Sequence, residues 1–238
     1  MDQELKKQIL NTAVKFFKEK FVKSHVSKIQ EVRHLKSFDY TAFYVDYLAN
    51  FLTGNNSPKS LAKALIYPRI LATSPSTIFG TVAQKFCSTL QGVLGSTTTG
   101  MDLEFIDQID KRYKFAQIKL GMSTINSKDV APMIEEFRKA KRLAMQNNRK
   151  VLDEDFMVGV LFGSYEGISQ NYKNIEKQFP VYVGKDFWLR LTGDENFYND
   201  LINELGKLAK QARAKKKLEE AVNTLADEIE DAIGKNTF

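Results

Sequence analysis

The chain has 238 residues, 43% hydrophobic and 27% charged, which is enough apolar material for a packed core and too much for a disordered chain. A single cysteine, Cys87, excludes an internal disulfide framework and a cysteine-rich zinc site, and two histidines, His25 and His34, argue against a histidine metal site. The net charge is +6, yet positions 111–150 alone hold eleven Lys/Arg against three acids, a local +8 that either attracts a polyanion such as nucleic acid or is a solvated basic helix face.

The chain contains no apolar run of about 18 residues, so no transmembrane helix is expected. Met1–Lys7 lacks the apolar core of a signal peptide. A cytoplasmic protein that uses oxygen ligands for any metal is the simplest expectation.

Along the chain, Leu5, Ile9, Ala13, Phe16, Phe17 and Phe21 form an apolar stripe that predicts a helix over 3–32. The apolar stretch 39–53 predicts a buried helix. Gly54–Pro58 is a turn, and Ser57-Pro58 starts a further helix with proline in its first turn. Ser74-Pro75-Ser76 breaks the chain, with Ser76 as the cap of a helix over 77–94. Cys87 packs within that helix. Gly92–Gly100 reads as a polar, flexible connector.

A two-strand hairpin follows, Met101–Ile106 and Tyr113–Lys119. Asp129 caps a helix to about Met145, with Val130, Met133, Ile134, Phe137 and Leu143 at helical spacing. Phe156–Phe162 is continuously apolar and suits a central strand covered on both faces. Phe179–Val183 is a further strand. Residues 186–192 form a short helix ended by Gly193, with Trp188 as a core anchor. Asp194 caps a helix over 195–213. Leu218, Val222, Leu225, Ile229 and Ile233 define a C-terminal amphipathic helix, which either packs on its own domain or meets a second copy. The fold class is α/β (α+β): a mixed central sheet flanked by helices, with a helical region over 1–75, a core over 76–205 and the amphipathic helix over 206–238. His34 is read as structural.

The chemistry concentrates at the hairpin. Period-two alternation sends Asp102 and Glu104 to one face of the first strand, and Gln117 and Lys119 share a face of the second. Asp102 is a hard oxygen ligand suited to Mg2+. The Ile118 backbone carbonyl is a candidate second ligand, Glu104 a candidate second carboxylate, and Gln117 offers a neutral oxygen. Lys119 can orient the attacking water and offset charge on phosphorus. This set suits phosphodiester hydrolysis. Equally, such residues occur on plain solvated strand faces. Thr124 and Asn126 stand where a helix begins and can hydrogen-bond phosphate, or Asn126 shapes the turn. Lys128, Arg138, Lys139, Lys141 and Arg142 are candidate contacts to backbone phosphates, with some facing solvent.

Taken in order, Ser96–Phe105, Ala116–Gly121 and Thr124–Asn126 resemble type II restriction endonucleases of the PD-(D/E)XK superfamily. Ile78-Phe79-Gly80, Phe162-Gly163 and Gly184–Gly193 are similar as well, so the likeness spans 76–205. It implies a restriction-endonuclease-like core and a Mg2+-dependent enzyme that cuts double-stranded DNA at a short sequence, as a homodimer. It also implies Asp102, Gln117 and Lys119 as the active-site triplet. The chain departs from the family pattern at Gln117, where Glu or Asp is usual, and at Gln84, where the upstream helix often has Glu. The departures leave two alternatives open: a DNA-binding protein that has lost cleavage, or a nuclease directed to repair or RNA substrates.

Overall fold

The computed structural model describes residues 3–90, 92–212 and 214–238, with the side chains of 73–77 and 209 excepted. In chain order the elements are helices α1 (Gln3–Phe17), α2 (Lys23–Glu31), α3 (Ala42–Thr53), α4 (Pro58–Pro68) and α5 (Ser74–Cys87), then strands β1 (Val93–Gly95), β2 (Leu103–Ile106) and β3 (Tyr113–Lys119). Helix α6 (Ser127–Gln146), strand β4 (Phe156–Val160), helix α7 (Gln170–Glu176) and strand β5 (Val181–Val183) follow, and α8 (Lys185–Thr192), α9 (Phe197–Gln211) and α10 (Ala214–Gly234) complete the chain. Among the described residues, no helix is long and apolar enough to cross a membrane.

The chain divides into two compact units, one of residues 1–15 and 80–205, the other of 16–79 and 206–238. The first holds a five-stranded sheet in the order β1-β2-β3-β4-β5. β1, β2 and β3 pair antiparallel, and β3, β4 and β5 pair parallel. The parallel half needs a crossover, and α6 supplies it between β3 and β4. β4 is buried at every position, as its continuous apolar run requires. Phe115 of β3 stacks on Phe156 of β4 at 4.9 Å, and Phe137 of α6 meets Phe179 at 5.0 Å. A second aromatic group gathers Phe105, Phe187, Trp188, Phe197 and Phe86, and the indole N–H of the buried Trp188 donates to Leu161 O at 2.9 Å.

The second unit is helical. Its core joins Ile29 and Val32, Val45 and Ala49 of α3, Leu61 and Ile66 of α4, and Val222, Leu225 and Ile229 of α10. His34 pairs with Glu228 at 2.6 Å, a structural contact.

Several expectations change. The helix expected over 3–32 ends at Glu31 and is interrupted by a π-helical turn at Lys18–Val22. Helix α3 is not buried. Val45 and Ala49 are buried and Leu48 packs partly against the same core, while Phe43 is 82% and Phe51 79% exposed, because Phe43, Tyr47 and Phe51 share the outer stripe at four-residue spacing. Helix α5 already begins at Ser74 and ends at Cys87; the side chain of Ser76, expected to cap it, lies outside the described residues. Part of the expected flexible connector is β1, whose backbone pairs with β2 whatever its side chains are. The cap of α6 is Asn126, not Asp129. Asp129 stands at the third helical position and accepts the Asn126 N–H at 2.6 Å, the reciprocal half of a capping box.

Candidate active site

The turn before β2 brings Asp102 alongside β3. The Asp102 N–H donates to Ala116 O at 2.8 Å, extending the β2–β3 ladder by one residue, and its Oδ2 accepts the Ile118 N–H at 2.7 Å. The register Leu103↔Ala116 makes Asp102 and Gln117 cross-strand neighbours. Alternation along β3 turns Ala116 and Ile118 toward β2, and Lys119 toward β4, where its carbonyl accepts the Leu161 N–H at 2.9 Å. The Ile118 carbonyl therefore points to the Asp102 side. Half-buried Lys119 is close enough for its charge to act on the Asp102 carboxylate. Asp102, Gln117, Ile118 and Lys119 are thus brought together at one end of the sheet.

Two further residues join them. Gln84 of α5 donates through its side-chain NH2 to Asp102 Oδ1 at 2.5 Å. Glu136 of α6 accepts from the Gln117 NH2 at 2.5 Å, and the same NH2 donates to Gly100 O at 2.7 Å. Each of the two glutamines therefore grips one carboxylate. Burial pushes the Asp102 carboxyl above its usual range, with the Glu136 charge in the same direction; the Ile118 amide, the Lys119 charge and Gln84 oppose it. Among the described residues no group of three or more His, Cys, Asp or Glu forms a ready metal cage. The available donors are two carboxylates and neutral oxygens, a set that fits Mg2+, which keeps several waters and takes few protein carboxylates.

Glu104 is placed elsewhere. Its oxygens accept from the hydroxyls of Ser96 at 2.6 Å, Thr98 at 2.9 Å and Tyr113 at 2.7 Å. Burial raises its pKa, but those hydroxyls more than offset this and hold it below the usual value. It ties the 96–98 loop to the hairpin. Thr124 Oγ1 donates to Gly121 O at 3.0 Å and lies 2.9 Å from the Tyr172 hydroxyl, and Asn126 begins α6.

The basic segment is less free than the sequence implies. Lys114 is 1% exposed and pairs with Asp110 at 2.7 Å and Asp155 at 3.4 Å. Arg112 also binds Asp155, and Lys141 pairs with Asp153 at 2.9 Å. Arg142 and Arg138 both pair with Glu135. Lys128 and Lys139 are exposed. Three site residues lay outside the sequence reading: Glu136, Gly100 and Gln84 as an active partner of Asp102. The signal for Glu136 was an acid standing within an otherwise basic helix.

The model of the family described as type II restriction endonuclease EcoO109I matches residues 7–213. No curated protein matches the chain. A match over most of its length shows that the chain belongs to the type II restriction endonuclease EcoO109I family and is a site-specific deoxyribonuclease.

Proposed function

We propose that the chain hydrolyses phosphodiester bonds of double-stranded DNA with Mg2+, at a PD-(D/E)XK-type centre built on Asp102 and Lys119. The observation behind this reading is the Ile118 N–H to Asp102 bond at 2.7 Å, which fixes the aspartate beside the strand end that presents Lys119. Asp102 and the Ile118 carbonyl would hold the metal. Bound there, Mg2+ neutralises phosphate charge and acidifies water. Lys119 orients the attacking water and offsets the charge that builds on the phosphate oxygens. Gln84 holds Asp102 in place. Gln117 contributes positioning rather than charge. Glu104 holds the 96–98 loop that leads into the site. Lys128 and Lys139, with Arg138, Arg142, Thr124 and Asn126, are the proposed contacts to the DNA backbone. One centre per chain and two strands to cut favour action as a homodimer.

The test is incubation of the purified protein with plasmid and Mg2+. Discrete fragments that vanish in Lys119→Ala support the reading. DNA binding without cutting would favour a scaffold that has lost cleavage, and attack on RNA or branched substrates would favour the third alternative.

A further inference from the structure

We infer that Glu136 of α6 supplies the second charged ligand of the Mg2+ site, in place of the acid that position 117 lacks; this rests on the reading of Asp102 and Lys119 just given. Three observations carry it. First, Gln117 is only 4% exposed, and its NH2 is committed to Glu136 and to Gly100 O. The residue where a carboxylate is expected instead delivers one from a neighbouring helix.

Second, room is made for that carboxylate. Gly100 has φ +82°, and a Cβ there would stand 3.2 Å from Glu136 Cβ and 3.3 Å from its Cγ and Cδ. A side chain at position 100 would crowd Glu136 as well as strain the left-handed backbone of the turn that presents Asp102. Third, Glu136 differs from its neighbour. Glu135 is neutralised by Arg138 and Arg142, whereas no Lys or Arg pairs with Glu136 among the described residues. An acid on a basic helix, paired with no Lys or Arg among the described residues and held on Gln117, the cross-strand neighbour of Asp102, is placed for a metal ion. Asp102, Glu136 and the Ile118 carbonyl, with water, are the oxygen donors that would hold a small hard cation there.

The experiment is direct titration of the full chain with Mn2+, followed by electron paramagnetic resonance without DNA or turnover. The comparison is between the unaltered protein, Glu136→Gln, Glu136→Gln combined with Gln117→Glu, and Asp102→Asn. Removing one ligand charge weakens binding on the order of tenfold or more, and Gln117→Glu in the Glu136→Gln background recovers it. Melting without metal is unchanged. If Glu136→Gln bound Mn2+ as well as the unaltered protein while Asp102→Asn did not, Glu136 would be no ligand and the Asp102 centre would stand. Loss in the single and double variants alike, with a lowered melting temperature, would make Glu136 structural and overturn the inference. An unaltered protein that bound no Mn2+ would overturn both readings together.

Discussion

The Ile118 N–H and Asp102 Oδ2 lie 2.7 Å apart, so the residue midway between Gln117 and Lys119 decides where the aspartate points. That contact separates the fold from the chemistry. Asp102→Asn keeps a side-chain oxygen able to accept the Ile118 N–H but removes the charge. Its melting temperature should stay near that of the unaltered protein while plasmid cleavage falls by roughly a hundredfold or more. Retained cutting in this variant would remove Asp102 from the chemistry.

Glu104→Gln should have the opposite profile. The glutamate oxygens accept from three hydroxyls, so the substitution disturbs the 96–98 loop without removing a charge from the centre. We expect a loss of about 1 kcal/mol in chemical denaturation and cleavage close to normal. Cleavage lost with stability intact would return Glu104 to the metal site.

Gly159 of β4 lies against the Phe187 ring, and a Cβ there would stand 2.3 Å from Phe187 Cε2. Both residues are within the sheet unit. Gly159→Ala should therefore destabilise by about 1–3 kcal/mol through overpacking. A calorimetric melting temperature unchanged from the parent would show that Phe187 can move aside.

The Asp155 carboxyl gives the pH dependence. Burial raises its pKa, but the Arg112 hydrogen bond, the Leu152 amide and the Lys114 charge outweigh this and hold it below its ordinary value. A carboxyl depressed in the folded state stabilises the protein above its unfolded pKa of about 3.9. That contribution is lost as pH falls through the folded value. Urea denaturation between pH 6 and 3 should show stability falling at the acid end, with a shallower fall in Asp155→Asn. An equal slope in both proteins would dismiss Asp155 as a contributor.

Lys128 and Lys139 are exposed and stand in the proposed DNA contact region. Replacing either with alanine should weaken binding uniformly across sequences and lower the slope of log affinity against log salt by about 1. Lys114→Ala should instead cost stability, because its side chain is 1% exposed and paired. If the Lys139→Ala salt slope matched the parent, that lysine would face plain solvent.

The local devices were legible in the sequence because they depend on near neighbours. Alternation and apolar runs marked β2, β3 and β4, Ser57-Pro58 marked the start of α4, and Gly193 marked the end of α8. The acid, glutamine and lysine of the hairpin were also readable, since two adjacent strands bring them together with little help from elsewhere. β1 was not legible, because a three-residue edge strand is defined by backbone hydrogen bonds that polar and glycine residues make as well as any others.

Other features depended on distant chain. Lys114 counted as available positive charge until Asp155, forty-one residues on, was folded onto it. The aromatic stripe of α3 read as core because composition alone does not say which side of a helix finds a partner. The same limit hid Glu136. Residue types and local preference determine the hairpin that displays Asp102, but the crossover of α6 between parallel strands decides which acid stands next to Gln117, because that placement is set by packing of the helix on the sheet.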